Sequence, residues 1–167
     1  MKSLIYRAVS KLLAAGVCGL ALATTAFAQV EDWDFGARKM EGSWKVQVTQ
    51  RNCSTGVALA PAFNSLLTFA RGGTLMESTA SPAFFPAVRG PGHGVWSHSN
   101  HHRTFKAVSV AHITLNGALA KTQTITQTIV FGDDPDSFNS TATILFVPAD
   151  GSPAINGCAT AVGQRIE

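Results

Sequence analysis

The run ALAKTQTITQTIVF, residues 118–131, changes residue type with a period of two. Thr122, Thr124, Thr126 and Thr128 take one face; Gln123, Ile125, Gln127, Ile129 and Phe131 take the other. Side chains alternate across a strand and recur every 3.6 residues on a helix, so this stretch belongs in a sheet. The threonine ladder suits a solvated outer face of high β propensity, which sends the glutamines inward with the isoleucines. The same period recurs in Val-, Ile-, Thr- and Phe-rich runs at 43–51, 64–71, 73–80, 94–99, 103–115, 137–147 and 157–166. Between them lie turn sequences: RGG at 71–73, the type I′ signal NG at 116–117, GDDPDS at 132–137 and ADGS at 149–152. The longest connection, 80–93, is rich in Pro and Gly, and no strong amphipathic helix follows residue 41.

The first 28 residues have the plan of a secretory signal. Lys2, Arg7 and Lys11 form a positive start, Leu12 to Ala23 an apolar run, and Ala26-Phe27-Ala28 an A-x-A cleavage site. The apolar run is shorter than the ~20 residues of a membrane-spanning helix. Cys18 follows Val17, where a lipoprotein signal needs Gly, Ala or Ser, so the expected product is exported, periplasmic or extracellular, without a membrane anchor. Three of the 13 basic residues fall in that signal and none of the 10 acidic ones does, so residues 29–167 carry ten of each. A net charge of zero removes the electrostatic motive for a nucleic-acid partner.

Beyond the signal two cysteines remain, Cys53 and Cys158. In an oxidising compartment they are expected to form a disulfide, which makes the first and last strand regions neighbours. Eight consecutive antiparallel strands leave two open edges, and closing the sheet on itself removes both. The expected fold is therefore all-β, an eight-stranded antiparallel up-and-down barrel over 42–167, preceded by a signal at 1–28 and a short arm or helix at 29–41. An open sandwich with a Greek-key connection is the competing solution. In the arm, Trp33, Phe35 and Met40 are available to pack on the domain.

EGSW at 41–44 resembles the G-x-W opening of lipocalins and other calycin barrels. GSWKVQVT, TFARGGTL, GVW, TQTITQTI, DSF and GCATAVG extend the likeness to small secreted bacterial proteins of lipocalin-like type. A second lipocalin motif of the T-D-Y kind is not found in the chain. The resemblance implies a calycin-like barrel and a ligand-binding role without a reaction. It also implies that Trp44 fills the closed end and that Arg165, on the last strand, packs across its ring as a cation–π partner.

An eight-stranded barrel is just wide enough to be filled by side chains or to hold one small ligand. Parity turns Trp44, Val46 and Val48 inward on the first strand, and Phe105, Ala107, Ser109, Ala111 and Ile113 inward on 103–115. On 137–147 it turns Phe138, Ala142, Ile144 and Phe146 inward. The small residues Ala107, Ser109 and Ala111 point to empty volume. Inward glutamines in an apolar pocket are the orienting groups a small-molecule site needs. Gln123, Gln127, Ile125, Phe105, Trp96 and Ser109 are thus the candidate ligand-binding residues, for a small apolar molecule and without a cofactor.

Catalytic signals are sparse. No paired carboxylates stand at a recognisable spacing, and no phosphate-cradling loop is present. A cofactor-independent isomerase, cyclase or decarboxylase is the alternative function, with His112, Lys106, Glu77 and Arg71 as first candidates. A structural or partner-binding exported module is the third. Residues 90–105, GPGHGVWSHSNHHRTF, hold four of the five histidines, among them His93, His98, His101 and His102. Zinc needs three or four ligands held by a second shell, which adjacent histidines in a turn without Asp, Glu or Cys do not provide. No functional metal site is expected there. The stretch reads as a hairpin at the barrel rim, with any histidine role at the mouth of the cup.

Overall fold

A computed structural model describes residues 38–99 and 103–167. The expected signal at 1–28, the arm residues Trp33 and Phe35, and His101 and His102 lie outside the described residues. Eight strands follow in order: β1 (Gly42–Arg51), β2 (Phe63–Ala70), β3 (Thr74–Ala80), β4 (Val88–His98), β5 (Thr104–Leu115), β6 (Ala118–Phe131), β7 (Ser137–Pro148) and β8 (Ile155–Arg165). Each pairs antiparallel with the next, and β8 returns to β1 from Trp44↔Arg165 to Arg51↔Cys158, which closes the barrel. This architecture is consistent with a calycin-like fold.

The hairpin chemistry is visible at its turns. Asn116 and Gly117 both hold positive φ, 52° and 81°, as a type I′ turn requires. The face assignments also follow the period. Phe105, Ala107, Ser109, Ala111 and Ile113 are all buried, while Lys106, Val108, Val110 and His112 are exposed on the other side of β5.

One strand departs from the expected pattern. β4 begins at Val88, not 94, which shortens the expected 80–93 connection to 81–87, where a short 3-10 turn, Pro82–Phe84, lies. Gly90-Pro91-Gly92 stays in the sheet because the β4–β5 register shifts between Arg89 and Gly92. Pro91 falls in that irregularity, where the missing N–H costs no regular ladder bond. Gly92 is required for another reason: a β-carbon there would overlap the Glu77 carboxylate.

Strand alternation gives the barrel two unlike ends. At one, Met40, Trp44, Phe69, Leu75, Trp96, Phe105, Ile129, Phe131 and Phe138 form a continuous apolar cluster, each at most 4% exposed. Trp44 lies 5.0 Å from Phe138 and 5.6 Å from Phe131 between ring centroids. Its Nε1 donates to the Met40 carbonyl at 3.0 Å, so residues 38–40 cap this end. Arg165 lies across the Trp44 ring at 4.2 Å from its centroid. The same guanidinium donates to the carbonyls of Glu41 and Lys39 at 2.7 and 2.6 Å and to Asp136 at 2.7 Å. One side chain therefore ties β8, the segment before β1 and the β6–β7 turn together over the indole.

Cys53 and Cys158 form a disulfide with Cα atoms 5.2 Å apart, bridging the end of β1 to β8 across the closing seam. The bond spans 105 residues of sequence. Chain-entropy reasoning assigns such a loop up to ~4–5 kcal/mol, and measured values usually fall lower. Replacing both cysteines with serine is expected to lower the unfolding free energy by ~2–4 kcal/mol. Urea unfolding of oxidised wild type against the double variant reads this directly; superimposable curves would mean that the seam holds without the bond.

Candidate functional site

The end opposite Trp44 is not filled. Small or polar positions there, Ser65, Thr79, Ser140, Ala142, Ala159 and Ala161, stand beside the apolar Val46, Val48, Phe63, Leu67, Phe84, Ile125 and Ile144. They enclose a cavity of about 60 Å³. A single water needs only ~10–15 Å³, so the space admits several waters or part of a small organic molecule. The barrel is thus packed with aromatic rings at one end and hollow at the other.

A charged group crosses the wall of this cup. Glu77 on β3, Gly92 on β4, Ala111 on β5 and Gln123 on β6 are successive partners in the sheet register. Gly92 and Ala111 carry almost no side chain, so a trough runs between Glu77 and Gln123. The Arg89 guanidinium lies in it, with Nη2 donating to Glu77 Oε1 and Nε to Gln123 Oε1. Nη1 donates to the Gly90 carbonyl at 3.2 Å. The Arg89 and Glu77 side chains are 2% and 5% exposed, so this is a buried ion pair. Its charges are mutually neutralised, and the guanidinium is held from three sides, as burial of such a group demands.

Two other polar groups on the cavity lining are not used in this way. The Gln127 amide, on a residue 8% exposed, makes no hydrogen bond to a described residue. Its register partners are Ala107 and Ala142, too short and apolar to satisfy it. Ser140, 5% exposed, lines the same cavity, and its hydroxyl makes no hydrogen bond to a described residue.

The candidate residues therefore divide. Gln123, Ile125 and Gln127 line the cup, and Gln123 is occupied by Arg89. Trp96 and Phe105 lie in the packed aromatic cluster, with ring centroids 6.0 Å apart. Trp96 Nε1 donates to the Ala70 carbonyl at 3.0 Å. Ser109 is 1% exposed, its hydroxyl has no partner in the described structure, and it stands against Gly94 away from the cavity lining. Part of the space expected over Ala111 is taken by Arg89. The hollow instead opens toward β1, β7 and β8, where Val48, Ala142, Ala159 and Ala161 supply the small walls.

Of the catalytic candidates, Glu77 alone faces the cup; Lys106, His112 and Arg71 are exposed. The histidine stretch also changes place. In an up-and-down barrel the β4–β5 turn shares an end with the β2–β3 and β6–β7 turns and with the start of β1. That is the packed end, not the mouth. The His98 ring stacks 4.9 Å from Phe105, and His93 is exposed on the outer face of β4. Among the described residues no three His, Cys, Asp or Glu side chains are placed to hold a metal ion. At the mouth itself, in the β7–β8 turn, hydrogen bonds from the Ser152 side chain and backbone hold the Asp150 carboxyl below its usual value.

Arg89 escaped the sequence reading because it fell in the 80–93 connection, outside the strand expected at 94–99, and extending that strand by parity would also misplace it. Gly92, Gly94 and Trp96 alternate with outward residues, and counting back by two sends Arg89 outside. The register shift reverses the parity and turns it in. The glycine alternation at 90, 92 and 94 was the available signal, since it marks positions where side-chain volume is surrendered to a neighbour. No protein-family model matches the chain, nor does any curated protein.

Proposed function

We propose that this chain is an exported, lipocalin-like barrel that binds a small, mainly apolar molecule in the cup opposite Trp44. The carrying observation is the cavity itself, with Gln127 and Ser140 facing it and left without partners. Neither belongs to the fully enclosed side-chain atoms without a partner among the described residues, which are on Ser81, His98 and Ser109, so both keep access to the cavity space. Ordered water or a ligand group supplies the missing hydrogen bonds. An apolar wall with a few convergent polar groups is the usual make-up of a small-molecule site. The positive start, apolar run and A-x-A of the first 28 residues, together with the Cys53–Cys158 bond, support export to an oxidising compartment.

A thermal-shift panel of fatty alcohols, fatty acids, terpenoids and simple aromatics tests this reading. A ligand present at a hundred times its Kd adds ~2.7 kcal/mol of stability, a rise of several degrees in Tm. At least one class is expected to produce it, and the shift should vanish when Ala142→Phe fills the cup. A panel without any shift would count against the binding reading.

The Glu77–Arg89 pair favours one second reading, a cofactor-independent isomerase or decarboxylase using the same cup. Both residues line the cavity, so the carboxylate would stand near a ligand held there and the guanidinium would stabilise developing negative charge. Chromatography of each ligand that shifts Tm separates the two: recovery of unchanged compound supports binding alone, and a new product supports catalysis.

A further inference from the structure

Resting on the binding reading above, we infer that the cup selects a ligand whose polar end is a neutral carbonyl or hydroxyl, and discriminates against carboxylates and ammonium ions with the same apolar body. Of the described residues lining the cavity, only Glu77 and Arg89 are charged, and they are bonded to each other. Their side chains are 5% and 2% exposed, so solvent does little to screen them. A ligand carboxylate entering the cup would gain a guanidinium whose charge Glu77 already balances, and would meet the Glu77 carboxylate. An ammonium would meet Arg89 in the same way. Either ion also loses its hydration on entry, and a buried charge without a free counter-charge is strongly disfavoured.

The groups that remain available are neutral. The Gln127 amide and the Ser140 hydroxyl face the cavity, and neither has a partner among the described residues. Each can donate and accept, so together they complement a ketone, an amide or an alcohol and have no net attraction for an ion. The Glu77–Arg89–Gln123 network acts in this account as a selectivity wall: it places a strong cation in the cup and cancels it before a ligand arrives.

The test is a matched series differing only in the polar end: 1-hexanol, 2-hexanone, hexanoate and hexylammonium, titrated into the full barrel at neutral pH and followed by protein NMR shifts. The two neutral compounds are expected to bind, and the two ions to bind at least about tenfold more weakly. Glu77→Gln leaves Arg89 uncompensated and is expected to raise hexanoate affinity relative to hexanol by about tenfold or more. Gln127→Leu removes an unpartnered amide and keeps the fold independent of the ion pair, so it serves if Glu77→Gln does not fold. It should weaken hexanol by about 3- to 10-fold, the worth of one neutral hydrogen bond, and leave plain hexane unchanged. Hexanoate binding as tightly as hexanol to the wild type would overturn the inference, as would a Gln127→Leu variant that holds hexanol undiminished. If hexane and the neutral compounds bind alike, the binding reading stands and this selectivity falls. If no member of the series binds, both fall.

Discussion

Trp44→Ala should cost the barrel ~3–5 kcal/mol, a large share of the ~5–15 kcal/mol that holds a domain of this size together. The indole is fully buried within the aromatic cluster at the closed end. Its loss removes the ring contacts to Phe131 and Phe138 and orphans the Met40 carbonyl. It also leaves the Arg165 guanidinium without the face on which it rests. The surrounding strands cannot collapse into the void, because their backbone hydrogen bonds fix the barrel diameter. Trp44→Phe keeps most of the apolar volume and should cost appreciably less. Urea unfolding followed by far-UV circular dichroism gives both numbers. Near-equal midpoints for Trp44→Ala and wild type would show that the cluster does not close the barrel.

The second large effect is expected at Arg89. Arg89→Met should destabilise by ~3–5 kcal/mol, because it leaves the Glu77 carboxylate buried with no counter-charge. Arg89→Met combined with Glu77→Met should recover most of that loss, since hydrophobic replacement of a whole buried pair is often neutral or stabilising. A double-mutant cycle in urea measures the coupling directly. Additive single and double effects would mean that the two side chains do not depend on each other, contrary to their shared burial. The contrast between single and double variants is the informative quantity. It separates a pair that adds stability from one that is retained for what it does in the cup.

Much of the fold was legible because period-two patterning over long strands leaves little freedom. β6 has the expected bounds, the other strands except β4 agree within two residues, and the inward faces of β1, β5 and β7 follow from counting. The closing disulfide was legible from two cysteines at opposite ends of the domain in a chain whose first 28 residues read as an export signal. The site was legible only in part. Gln123 and Gln127 were recognisable as inward glutamines, but their different situations depend on Arg89, and Arg89 is turned inward by a bulge that no periodicity records. The identity of the hollow end rests on three-dimensional volume: Ala142, Ala159 and Ala161 come from two strands far from Ala107 and Ala111 in sequence. The histidine turn could have been assigned to the packed end by strand direction alone, since an even number of strands, β1 to β4, lies between Trp44 and that turn. Its polar composition drew attention to chemistry and away from that count.

The central claim is that the hollow end is a binding cup and not an incidental packing fault. Native mass spectrometry of the purified protein tests it most directly. A reproducible mass excess from one non-covalently bound small molecule is expected, lost on mild activation and absent from Ala142→Phe. Bare protein in repeated preparations, identical for wild type and the filled-cup variant, would contradict the account.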